Sequence, residues 1–189
     1  MEAFLVSTGI VALAEMGDKT QLLSLLLAAR FRRHLPIILG ILVATLLNHA
    51  GAGTLGSWLT SLLGGDMLRQ LLGWSFLAMA AWTLIPDKAG ELDARPARFG
   101  VFAATLVAFF LAEMGDKTQI ATVALAAKYS AFGAVVAGTT LGMMLANVPA
   151  VLLGNRIIKA VSLKLVRAIA AAIFAVLGLA TLFAIGSPV

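Results

Sequence analysis

Most of this chain lies in apolar runs long enough to cross a lipid bilayer, and no other feature limits its fold so strongly. Six such runs, at about residues 3–29, 35–63, 68–86, 99–127, 131–154 and 165–187, fill the sequence. Each matches or exceeds the ~20 residues a helix needs to traverse ~30 Å of hydrocarbon. A backbone in lipid must satisfy its own hydrogen bonds, so the runs predict an all-α integral membrane protein with six transmembrane helices. A soluble helical protein would show polar stripes at helical spacing, and the run 165–187 has none. Charged residues make up 12% of the chain, about half the share usual in soluble domains. No Lys or Arg precedes the first run and a charged motif sits at its centre, so it is expected to be retained as a helix and not removed as a leader.

The basic residues set the orientation. With the N-terminus outside, the cytoplasmic loops hold Arg30, Arg32, Arg33, Lys88, Arg95, Arg98, Arg156, Lys159, Lys164 and Arg167, and the outer loops only Arg69 and Lys128. Ten against two places both termini outside under the positive-inside rule. A net charge of +5 spread over short loops offers no folded surface to nucleic acid, and lipid is the expected partner. The absence of cysteine excludes disulfides and thiolate metal sites, and no resident cofactor is expected.

Sliding the chain by 98 residues aligns it on itself without a gap. Gly40 meets Gly138, Gly56 meets Gly154, Arg69 meets Arg167, Phe76 meets Phe174, and the nine letters LAEMGDKTQ at 13–21 return at 111–119. The unit is three helices, 1–86 and 99–189, joined by a cytoplasmic connector at 87–98. Three is odd, so the halves must cross the membrane in opposite senses. Such inverted-topology repeats are a mark of transporters that open one central site to either side in turn.

Each nine-residue motif carries two acids and a lysine into the bilayer. On a helix, Glu15 and Asp18 share a face, as do Glu113 and Asp116, so four carboxylates can converge. An isolated charge there costs about 2.5–3.5 kcal/mol, so these groups must be paired or occupied. Lys19 and Lys117 stand four residues after Glu15 and Glu113, which predicts intrahelical pairs. Four carboxylates and two ammonium groups still leave a formal −2, which one divalent cation or two protons would neutralise. Alternation between those two states is a cation/proton antiporter in outline. The acids Glu15, Asp18, Glu113 and Asp116, with amide oxygen from Gln21 and Gln119, form a hard donor set suited to Mn²⁺, Ca²⁺ or Mg²⁺.

Thr20 and Thr118 point elsewhere on a straight helix and are expected to bond backbone or a neighbouring helix, shaping the site. Gly17 and Gly115 allow either a break that frees carbonyls beside the ion or close helix packing. Met16 and Met114 lie about 100° from the acids and read as packing residues. Asn48 and Asn147 are supporting polar residues, and His49, aligned with Asn147, is expected to make an interhelical hydrogen bond. Trp58, Trp74 and Trp82 suit lipid-facing or interfacial positions, and Gly138 with Gly142 forms a GxxxG packing step.

With E-x-G-D-K-T present twice, at Glu15–Thr20 and Glu113–Thr118, the chain resembles the cation-exchanger family once catalogued as uncharacterised protein family 0016, the Gdt-type cation/proton exchangers. The resemblance spans nearly the full chain. It implies a non-enzymatic secondary transporter that exports Mn²⁺ or Ca²⁺ from the cytoplasm across the bacterial inner membrane in exchange for protons. Glu15, Asp18, Glu113 and Asp116 match the family's acidic positions. A Ca²⁺/H⁺ antiporter, a divalent-cation channel, an exporter of organic cations and a non-transporting membrane scaffold are the alternatives.

Overall fold

The computed structural model describes residues 1–85, 100–154 and 162–183. These are entirely helical: α1 (Glu2–Glu15), α2 (Lys19–Phe31), α3 (His34–Leu62), α4 (Gly65–Thr83), α5 (Gly100–Glu113), α6 (Lys117–Tyr129), α7 (Phe132–Leu153) and α8 (Leu163–Phe183). The connector expected at 87–98, with Lys88, Arg95 and Arg98, lies outside the described residues, as do Arg156 and Lys159. α3, α7 and α8 are long and apolar enough to cross a membrane. Trp58, Trp74 and many leucines lie exposed on the outer surface, as lipid-facing residues do.

The runs 3–29 and 99–127 are not single helices. Each is cut in two inside its motif, into 14- and 13-residue pieces, α1 with α2 and α5 with α6. Gly17 and Gly115 sit at the cuts with φ of 77° and 72°, a left-handed conformation that glycine enters without steric cost. Of the two roles open to these glycines, the break is the one the backbone adopts. After the breaks, α2 and α6 end alike. Arg32 and Ser130, 98 residues apart, both take the left-handed conformation and donate their amides to Ala28 and Ala126, also 98 apart.

Packing repeats between the halves in the same way. Gly138 lets α7 close on the Phe4 carbonyl and Ser7 of α1, and Gly40 lets α3 close on the Phe102 carbonyl and Thr105 of α5. Each pair of contacts is displaced by 98 residues from the other. Gly142 continues the first seam against Thr8 and Ala12, so the GxxxG step packs helices as its spacing suggests. α4 and α8 lie together, with Phe76 stacked on Phe174 at 6.4 Å between ring centroids. A residue stacked on its own counterpart marks where an axis relating the halves would pass.

One aspect of the packing is unequal between the halves. α8 rests against α1 and α4 against α6, whereas the equivalent pairings, α4 with α5 and α8 with α2, make at most marginal contact. The larger core accordingly joins α1, α4, α6, α7 and α8 through residues such as Ile10, Leu72, Phe76, Leu125 and Phe174. The smaller one joins α2, α3, α5 and α7 through Leu23, Ile37, Ile41, Phe109 and Val151, with nothing from α4 or α8. The α4–α8 pair thus leans on α1 and α6, one helix from each repeat, and stands off α2 and α5. On the closed side Lys128 donates to Thr181 at 3.0 Å and Tyr129 to Glu2 at 3.4 Å. Thr83, the counterpart of Thr181, has a buried hydroxyl with no hydrogen-bond partner among the described residues.

Candidate metal site

Each motif folds into an elbow at its glycine. α1 stops at Glu15 because Met16 is extended and Gly17 left-handed, and Asp18, itself extended, stands just before α2 as its N-cap residue. The elbow is clamped from both sides. The Asp18 amide donates to the Glu15 carbonyl at 3.1 Å, and the Gly17 amide to Gln21 Oε1 at 2.9 Å. The second elbow repeats this, Asp116 to Glu113 at 3.1 Å and Gly115 to Gln119 Oε1 at 2.7 Å. Gln21 and Gln119, expected to turn their amide oxygens toward an ion, spend them here on the turn. Their amide nitrogens tie the elbows to the long helices, Gln21 to the Ala146 carbonyl at 2.9 Å and Gln119 toward Asn48 Oδ1 at 3.5 Å.

The break also changes the ion pairing. The i,i+4 geometry that would join Glu15 to Lys19 exists only in an unbroken helix, and the lysines reach instead across the molecule. Lys19 Nζ lies 2.8 Å from Asp116 Oδ1, and Lys117 Nζ 2.9 Å from Asp18 Oδ1. These crossed pairs bind each half's motif to the other's. The threonines depart from expectation too: Thr20 donates to Glu15 Oε2 at 2.5 Å and Thr118 to Glu113 Oε2 at 3.1 Å. A five-residue reach back over the elbow brings hydroxyl and carboxylate together, which a straight helix forbids.

Glu15, Glu113 and Asp116, all buried, converge so that one ligand oxygen from each lies within 4.8 Å of the others. Oxygens on opposite sides of an ion at ~2.2–2.4 Å stand about 4.4–4.8 Å apart, so the gap accommodates a divalent cation. Oε1 of each glutamate and Oδ2 of Asp116 are buried without a hydrogen-bond partner among the described residues. Acceptors left so in a dry interior call for a ligand. With both aspartates matched to lysines, the formal −2 falls on the glutamates. The C-terminal ends of α1 and α5 carry these glutamates, and their dipoles add negative potential.

The remaining candidates take secondary places. Asn147 accepts from Ser24 at 2.8 Å and donates to the Met143 carbonyl at 3.0 Å, while Asn48 donates to the Phe110 carbonyl at 3.1 Å. Ser24 was not apparent from the sequence as a partner of the site, although it follows Gln21 by one helical turn on the same face. His49 is buried, but neither ring nitrogen finds a hydrogen-bond partner among the described residues, contrary to the interhelical bond expected of it. Met114 is 56% exposed, whereas the carboxylates are buried.

Comparison with known proteins shows the family to which the chain belongs. The family model for the divalent cation/proton antiporter GDT1 matches residues 3–91 and 101–187, one segment for each repeat. The chain is 51% identical over 184 residues to a Vibrio cholerae protein named "Putative manganese exporter", covering 97% of this chain and 92% of that one. It is 28% identical to the GDT1-like protein sll0615 of Synechocystis, covering 92% and 93% of the two chains. With GDT1-like protein 5 of Arabidopsis thaliana it shares 26% identity, covering 96% of each. No solved structure matches. The chain is a membrane transporter and not an enzyme, and it belongs to the GDT1 divalent cation/proton antiporter family.

Proposed function

We propose that this protein exports Mn²⁺ from the cytoplasm across the bacterial inner membrane in exchange for protons. The observation that carries the reading is the buried meeting of Glu15 and Glu113, one from each repeat, together with Asp116. Glu15, Glu113 and Asp116 supply the ion's oxygens, with Thr20 and Thr118 holding the glutamates in place. Asp18 is a ligand of the complementary state, once released from Lys117. Gln21, Gln119, Asn48 and Asn147 keep the elbows in position, and Gln21 and Gln119 would add amide oxygens if the turns open. The uncompensated −2 accepts either one divalent ion or two protons, which couples the two fluxes through one site.

The chain crosses the membrane six times in this reading. Repeats 1–86 and 99–189 run in opposite senses, 87–98 is cytoplasmic and both termini are outside. The positive-inside count supports that orientation, and the 98-residue recurrence of packing contacts supports the relation of the halves. So oriented, the side left uncovered by α4 and α8 is cytoplasmic, and the described conformation is the one that loads metal. Passage of the α4–α8 pair to α2 and α5 would open the site outward, where protons replace the ion.

Manganese is favoured by the 51% identical relative's name. Ca²⁺ is the second cargo, because the donors brought together are all oxygens and Met114 stays outside. Flux into inverted membrane vesicles tests the proposal. An imposed pH gradient alone should drive Mn²⁺ uphill, which a channel cannot do, and Glu15→Gln or Glu113→Gln should cut the rate by about two orders of magnitude. Undiminished flux in both variants rules the carboxylate site out.

A further inference from the structure

The two lysines belong to identical nine-residue motifs, yet they have different surroundings. Lys117 is 5% exposed, and its partner Asp18 lies outside the three-carboxylate cluster. Lys19 is 28% exposed, and its partner Asp116 is one of the three. Resting on the transport reading above, we infer that Lys19 is a tethered counter-cation that competes with the cargo for Asp116. Its ammonium holds Oδ1 while no divalent ion is bound and is driven off when an ion binds at Oδ2 of the same carboxylate. Lys117 stays on Asp18 throughout this half of the cycle.

Three features support the assignment. An ion among these oxygens would place a double positive charge a few ångströms from an ammonium that is 2.8 Å from one ligand, and the repulsion in a low-dielectric interior is strong. Lys19 also has a way out. Its partner follows the exposed elbow at Met114 and Gly115, and a flexible four-carbon stem can carry the ammonium to water at little cost. Lys117 has no such exit, and withdrawing it would strand buried charge on both partners.

The device also selects for charge. A monovalent ion brings no more charge to Asp116 than the ammonium it must displace, so Na⁺ and K⁺ gain nothing there, whereas a divalent ion does. Lys19 is thus a specificity residue that never touches the cargo.

Mn²⁺ and Na⁺ binding to the purified full chain in detergent tests this, with Lys19→Met, Lys19→Arg and Lys117→Met compared with the unaltered protein. Lys19→Met should bind Mn²⁺ about fivefold more tightly and become inhibitable by Na⁺, and Lys19→Arg should restore discrimination. Lys117→Met should bind more weakly. Independently, in the unaltered protein, Mn²⁺ should increase labelling of Lys19 by an amine-reactive reagent and leave Lys117 unlabelled. Equal or weaker Mn²⁺ binding by Lys19→Met, or Mn²⁺ protection of Lys19 from label, overturns the inference. If the unaltered protein binds neither Mn²⁺ nor Ca²⁺, the transport reading itself falls.

Discussion

Glu15 and Glu113 each present one oxygen to a threonine and one to the space between them. The threonines therefore fix rotamers as well as supply a hydrogen bond, since a carboxylate held at one oxygen offers the other in a defined direction. Thr20→Val should weaken Mn²⁺ binding about tenfold, the value of one charge-assisted hydrogen bond, and Thr20→Ser should restore it. Titration of purified protein with Mn²⁺ reads this directly, and unchanged affinity in the valine variant would show that Glu15 orients itself. At this scale the sequence singled out three acids that the structure brings together, Glu15, Glu113 and Asp116, and was misleading about their partners. Glu, Asp and Lys inside apolar runs point to a site wherever they occur. The pairing of Lys19 with Asp116 depends on two segments 97 residues apart approaching each other, and no local spacing encodes it.

At the scale of elements, the elbows decide everything else. A glycine between Met and Asp can sit inside a helix or end it, and helical periodicity looks the same in both cases. The choice becomes visible only when its consequences are counted: Asp as the N-cap of a new helix, Gln folded back to the turn amide, and Thr reaching the acid five residues earlier. The two elbows also differ in their cover. A Cβ on Gly17 would meet the Leu163 side chain of α8, while one on Gly115 would meet nothing within 4 Å. Alanine at either position forces a left-handed backbone at about 1–2 kcal/mol. Gly17→Ala should thus lower thermal stability more than Gly115→Ala, by the added cost of displacing Leu163, and both should impair transport. Equal loss of stability in the two would mean that α8 does not rest on the first elbow. Helix existence was legible throughout the described residues. Runs 3–29 and 99–127 were mistaken for single helices because an apolar stretch records solvent and not continuity.

For the whole molecule, the proposed exchange of metal for protons calls for a second arrangement of α4 and α8, with the unequal packing reversed. Lys128 and Thr181 meet in the described one, and their counterparts 98 residues earlier are Arg30 and Thr83. The chain has no cysteine of its own, so introduced pairs can be bridged without ambiguity. A thiol cross-link between Lys128→Cys and Thr181→Cys should stop Mn²⁺ flux with the site still reachable from the cytoplasmic side. One between Arg30→Cys and Thr83→Cys should stop it with the site reachable only from outside. Flux that continues while the second pair never cross-links would refute the exchange. The Phe76–Phe174 stack has a different place in this scheme. The contacts of α4 with α6 and of α8 with α1 trade one partner for another between the two arrangements, but these rings keep each other in both. The same change made at both rings would therefore weigh equally on the two end states and leave the balance between them untouched. In this scheme the stack holds the pair together while it changes sides and does not set which way the protein faces at rest.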